Sequence, residues 1–150
     1  MPGVFNLPAS RAVNASYPTV AVLGSATTVR PRIQKLTLGS TSAPADAALT
    51  WLLQRITALG TTTSVTPRAF DPAFQGLNLS SCGKEATAEP TYTSGAIDWQ
   101  IGVHQRQSVI VNFDAGAEPI APATANNGYG LSVTSSSGTP SVIASIQFAE

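Results

Sequence analysis

Charge is scarce in this chain of 150 residues: Asp, Glu, Lys and Arg make up 11% of it, eight bases against eight acids. An ordinary soluble domain carries about 25%. There is one Cys, one His and one Met. A single Cys forms no internal disulfide, which excludes a disulfide-stapled scaffold. One His and one Cys do not furnish the usual zinc sites, and no Asp-x-Asp-x-Asp-Gly series offers calcium a loop. No metal and no cofactor is therefore expected. No apolar run approaches the ~20 residues that cross a bilayer as a helix. The opening Met1-Pro2-Gly3-Val4-Phe5 has neither the basic segment nor the long apolar stretch of a secretory signal, so synthesis in the cytoplasm is expected. Zero formal net charge gives no general attraction to nucleic acid or anionic membrane, and neither is expected as a partner.

What the chain has instead is 43% hydrophobic residues, 22 Ala, 33 Ser plus Thr, 12 Gly and 11 Pro. That is too apolar for disorder and long enough for one core. Its polar surface must be mostly neutral hydroxyls and amides. The first 44 residues carry Arg11, Arg30, Arg32 and Lys35 and no acid, whereas residues 45–150 hold four bases and all eight acids, a net of −4. Pro2, Pro8, Pro18 and Pro31 argue against helix in the leading segment. Residues 1–31 accordingly read as an extended arm with one short strand at Thr19–Leu23, free to dock on its own body or on a neighbour.

Residues 32–150 read as a β domain. Leu36 and Leu38 alternate within 32–39. Residues 47–57 fit two templates: a strand with Leu49, Trp51, Leu53 and Arg55 on one face, or a helix with Leu49, Leu52, Leu53 and Ile56 on one stripe. The β-rich surroundings favour the strand. Ser64–Thr66 reads as a short strand ending at Pro67. Residues 70–95, with Pro72, Gly76, Gly83, Pro90 and Gly95, read as a loop-rich excursion with one helical turn near Pro72–Gln75. Ile97, Trp99, Ile101 and Val103 alternate with Asp98, Gln100, Gly102 and His104, and Val109, Val111 and Phe113 alternate with Ile110 and Asn112. Leu131 and Val133 mark another strand, and a last one places Val142, Ala144, Ile146 and Phe148 on one face. Asn126-Asn127-Gly128 suits a tight turn. Seven or eight strands joined by Gly, Pro and Ser turns predict an all-β, antiparallel sandwich or barrel.

No catalytic constellation emerges. Any triad would run through His104, the sole imidazole. Asp98 lies on the same predicted strand but about 20 Å away along it. No Gly-x-Ser-x-Gly elbow is present, and Cys82 reads as an inert thiol in a loop. The chain is expected not to be an enzyme. Surfaces remain: Trp51 and Trp99 as core, Arg55 as a paired inward charge or an interface anchor, and Tyr17, Tyr92 and Tyr129 as loop tyrosines suited to contacts. Arg55 and the three tyrosines, together with Arg11, Arg30 and Arg32, form the candidate protein interface.

Several short pieces carry a family likeness: Arg32-Ile33-Gln34-Lys35-Leu36-Thr37-Leu38-Gly39-Ser40, Pro44-Ala45-Asp46, Gln54-Arg55-Ile56-Thr57-Ala58-x-Gly60 and Thr66-Pro67-x-x-x-Asp71-Pro72-Ala73. Ala88-Glu89-Pro90-Thr91-Tyr92, Ile120-x-Pro122-Ala123-Thr124-Ala125-Asn126-Asn127-Gly128 and the closing Phe148-Ala149-Glu150 extend it. In these the chain resembles small virion proteins of tailed bacteriophages, of the capsid decoration (cement) or minor head type. Residues 74–88 lie outside the likeness. The resemblance implies a jelly-roll-like β-sandwich on the capsid surface of the virion. Its partners would be the major capsid protein and copies of itself, most simply as a homotrimer on a local three-fold. Another virion part, such as a tail-tube, head-fibre or host-glycan-binding protein, is the alternative.

Overall fold

The computed structural model describes residues 3–150. In chain order the strands are β1 (Val4–Ala12), β2 (Thr19–Gly24), β3 (Arg32–Ser40), β4 (Ala48–Ala58), β5 (Thr61–Ser64), β6 (Arg68–Ala69), β7 (Ser81–Ala88), β8 (Thr91–His104), β9 (Val109–Asn112), β10 (Gly128–Ser135) and β11 (Ser141–Ala149). One 3-10 turn covers Pro72–Phe74. The strands form two antiparallel sheets, in the orders β6-β1-β11-β3-β9 and β5-β7-β2-β10-β4-β8. The molecule is an all-β sandwich.

Alternation builds the core. Phe5, Leu7 and Ala9 of β1, Leu36 and Leu38 of β3, and Val142, Ala144, Ile146 and Phe148 of β11 point inward from the first sheet. Leu49, Trp51 and Leu53 of β4, with Tyr129, Leu131 and Val133 of β10, meet them from the second. The Phe5 and Phe148 rings stack at 5.6 Å. Residues 48–58 are therefore strand, as the surroundings favoured. Trp51 is fully buried, while Trp99 is only partly buried against the same core.

The segment read as an arm is not one. From Val4 to Ala12 it pairs with β11 over nine residues, and β2 lies between β7 and β10 inside the second sheet. Every residue of β2 is buried. Pro8 hides this strand in the sequence. On its far side β1 pairs with β6 only through Phe5 and Asn6, so Pro8 lies at a free edge, where a missing donor costs nothing. Residues 1–2 of the expected arm fall outside the described residues.

The excursion at 70–95 is also more regular than expected. β7 pairs with β2 through Ala21–Gly24, and β8 begins at Thr91, well before the alternation at Ile97 becomes visible. The helical turn near Pro72 is present as the 3-10 turn, with the Asp71 carboxylate accepting from the Ala73 N–H at 3.0 Å. Cys82 sits on β7, not in a loop, and is buried. Burial, reinforced by the nearby Glu150 carboxylate, pushes its thiol up to about 12, which keeps it protonated and unreactive.

The outer face of the second sheet is partly covered by its own ribbon. The β4–β8 ladder shifts register toward its far end, where the hydroxyl end of the Tyr92 ring lies close over Gly130. A Cβ added there would sit 2.8 Å from the Tyr92 ring. Val22 and Ile56 are buried on this side, outside the main core cluster.

Candidate functional site

At one end of the sandwich, strand geometry gathers a charged cluster at the mouth of a cleft. Arg55 continues the inward parity of Leu49, Trp51 and Leu53, and in register it lies opposite Tyr129. Asp98 comes from β8. There Trp99 pairs with Leu53 and Ile97 with Gln54, so β8 spends one extra residue where β4 advances by one. Asp98 is that extra residue. A bulge of this kind re-aims a side chain that regular alternation would send to the opposite face.

The Asp98 Oδ2 atom accepts from Arg55 Nε at 3.1 Å and from the Tyr129 hydroxyl. The Arg55 guanidinium also lies 5.7 Å from the Tyr129 ring centroid, a cation–π distance. Its hydrogen bond to the Asp98 carboxylate raises the Arg55 pKa further. Burial, followed by that same carboxylate, raises the Tyr129 phenol well above its ordinary range. Around this triad opens a cleft of about 640 Å³, lined also by Arg30, Ile97, Phe113, Glu118 and Ile120. Arg30 is anchored there by its Nε donating to the Ala121 carbonyl at 3.1 Å.

Of the seven expected interface residues, the cleft unites Arg30 and Arg55, with Tyr129 behind them. Tyr129 is no loop contact residue: it is fully buried within β10. Tyr92 is on β8, half-buried, its hydroxyl 2.6 Å from Thr19 Oγ1. Glu89 accepts from the same Thr19 hydroxyl and from the Thr19 N–H. Arg11 is a tie within the fold, its Nη1 donating to the Thr19 and Ala86 carbonyls. Arg32 opens β3 opposite Ala149 and is not among the cleft's lining residues. Tyr17 is exposed in the turn before β2 and stands apart from them. The parity of Arg55 signals that an inward charge needs a partner. Only the β4–β8 pairing and the bulge identify that partner as Asp98.

His104 closes β8. Its Nε2 lies 3.5 Å from the exposed Asp46 carboxylate, and its Nδ1 accepts from the Arg106 N–H at 3.2 Å. Asp98 is engaged elsewhere, by Arg55 and Tyr129, so the two strand residues do not form a pair. Among the described residues no three of His, Cys, Asp and Glu are grouped to hold a metal ion, and no helix is long and apolar enough to cross a membrane.

The second notable surface is the outward face of the first sheet. Registers place Ile110, Thr37, Ser145 and Pro8 in one row across it, and Gly39, Ile143 and Ser10 in the next. Ile143 is 46% and Ile110 60% exposed. Lys35 and Arg68 sit toward one end, in the row of Gln147 and Asn6. None of these outward positions is acidic. A hollow of about 400 Å³ opens here, lined by Pro8, Ser10, Thr37, Ile143 and Ser145 together with Val65 and Lys84.

Comparison with protein-family models, with curated proteins and with solved structures returned no match for this chain.

Raised tyrosine pKa values give the fold an alkaline limit. Burial lifts Tyr92 to about 12 and Tyr129 higher still in direction. A phenol whose pKa rises on folding favours the native state while it stays protonated. That contribution is complete below the unfolded value near 10 and is lost as pH climbs through the folded values. Thermal melts followed by circular dichroism should therefore show Tm starting to fall above about pH 9, where the Cys82 thiol of the unfolded chain ionises, and falling more steeply above about pH 10 as the phenols follow. Tyr92→Phe should flatten the fall, and an unchanged slope in that variant would contradict the assignment.

Proposed function

We propose that this chain is a structural protein of a tailed-phage virion, a capsid decoration protein that docks on the lattice of major capsid protein. The observation that carries the reading is the outward face of the first sheet: broad, built of small neutral residues, with two exposed isoleucines, an apolar hollow and no acid. Depletion of charge with apolar anchors at the centre is the character of protein interfaces. The few bases near it favour a neutral or acidic partner surface.

The connectivity agrees with the jelly roll that the sequence likeness implies. β1, β2, β3 and β4 alternate between sheets, as do β8, β9, β10 and β11, giving the cores β1-β11-β3-β9 and β2-β10-β4-β8. Strands β5 to β7 are an insertion between β4 and β8. Three of the four sheet edges, β5, β6 and β9, are short strands, which limits unplanned pairing there, and a packed sandwich suits a rigid clamp across capsomer junctions. Copies of the chain would meet around a local three-fold on the particle, a step taken by analogy with symmetric assemblies.

Cosedimentation tests it. Purified protein should pellet with heads stripped of it, at a stoichiometry set by lattice sites. A charge placed centrally on the face, Ile143→Glu, should weaken that binding by about 30-fold or more, since a hot-spot loss is worth about 2 kcal/mol or more. Binding to heads with unchanged affinity in a folded Ile143→Glu variant would remove this face from the interface.

A further inference from the structure

We infer that the cleft at the Arg55–Asp98–Tyr129 end of the sandwich binds a neutral saccharide. This inference does not rest on the virion reading, because the cleft and the outward face of the first sheet share no residue among their lining and row positions.

The charges in the cleft balance. Arg30 and Arg55 face Asp98 and Glu118, so the sum is zero and no net field selects an ion. What the four groups offer is a dense set of donors and acceptors. Both arginines are tethered through Nε, Arg55 to Asp98 and Arg30 to the Ala121 carbonyl, which leaves their Nη groups as donors. Asp98 uses one oxygen, Oδ2, for both of its bonds, which leaves Oδ1 as an acceptor. A hydroxyl donates and accepts at once. Neighbouring hydroxyls of a sugar ring can therefore give one hydrogen to Oδ1 and take one from a guanidinium.

The walls fit the other half of a sugar. Ile97, 43% exposed, with the partly exposed Phe113, Ile120 and Pro122, offers apolar surface to the C–H face of a pyranose. A cleft of about 640 Å³ lies within the usual ~300–1,000 Å³ of small-molecule sites. The polar groups are also fixed before binding: Asp98 is held by Tyr129 and Arg55, both on strands. Fixed groups lose little freedom when a ligand arrives.

The test begins with the wild-type chain on a printed array of neutral and acidic glycans. Saccharides from it are then titrated into isotopically labelled protein and followed by amide NMR. At least one neutral sugar should shift the amides of Ile97, Phe113 and Ile120 saturably, with Kd of roughly millimolar order. Arg30→Ala, at an exposed position, should leave the spectrum otherwise native and weaken binding by about tenfold, the loss expected for one hydrogen bond to a charged donor. Asp98→Asn, if folded, should weaken it similarly. The inference is overturned if no neutral sugar moves these amides at millimolar concentration. It is equally overturned if only acidic saccharides move them, which would make the cleft an anion site. Undiminished binding in Arg30→Ala would also contradict it.

Discussion

A chain lacking residues 1–24 is expected not to fold. The deletion removes β1 and β2, and with them Phe5, Leu7, Val20, Val22 and Leu23, each at most 1% exposed. At ~1.5–3 kcal/mol for each large apolar side chain buried, those five alone contribute about 7–15 kcal/mol. That equals the whole net stability of an ordinary domain, about 5–15 kcal/mol. The loss does not stop at burial. β11 would be left with one neighbour, and the second sheet would be cut between β7 and β10. The exposed edges of β10 and β11 would then pair with other chains, so the truncated protein should be insoluble or unfolded. Far-ultraviolet circular dichroism and amide dispersion check this directly. A soluble truncation with dispersed amides and a cooperative melt would mean that the leading segment is an appendage after all.

Trp51→Ala should be among the most costly single substitutions in the core. Trp51 is fully buried, opposite Val133 on β10 and Ile101 on β8, so truncation leaves a cavity between three strands. Replacing a buried Trp by Ala costs about 3–5 kcal/mol, which in a domain of this size lowers Tm by on the order of 10 °C. Trp51→Phe should cost much less than its loss of volume suggests. The Trp51 Nε1 atom is buried without a hydrogen-bond partner, and phenylalanine brings no donor to desolvate. Urea unfolding of both variants separates the two contributions. If Trp51→Phe destabilises as much as Trp51→Ala, the indole N–H is satisfied in solution and the packing account of this position is wrong.

How far the sequence foretold this molecule depends on which signal each element carries. Strands with clean alternation, such as Val142–Phe148 and Trp99–Val103, were legible because one face meets the core and the other does not. β2 was legible as a strand but not as a central one. It is buried on both faces, and a short continuous apolar run says nothing about its neighbours. β1 was hidden by Pro8, which reads as a breaker until the free edge beside it is known. β7, Ser81–Ala88, mixes Gly, Lys and Glu. It is a strand because tertiary pairing with β2 overrides its weak local preference.

The cleft divides in the same way. Arg55 could be singled out because a charge on the Trp51 face demands a partner, and Arg30 because bases cluster in the leading segment. Asp98 could not be matched to Arg55, since a one-residue bulge has no signature in a single sequence. Tyr129 was misplaced because it follows Asn126-Asn127-Gly128. The turn is there, with Asn126 at positive φ, but β10 begins at Gly128 itself and takes the ring into the core. The neutral outward face of the first sheet was foreshadowed only by composition, in the low charge and abundant Ser and Thr. Its assembly from four strands distant in sequence needed the register.

The central proposal, that the chain decorates a tailed-phage head, is tested most directly by cryo-electron microscopy of intact heads of the phage proposed to carry it. The account predicts sandwich-shaped density at symmetry-related positions on the capsid exterior, with Ile143 and the first sheet turned toward the major capsid protein. Heads that lack this density, or density that turns the Ile143 face to solvent, would contradict it.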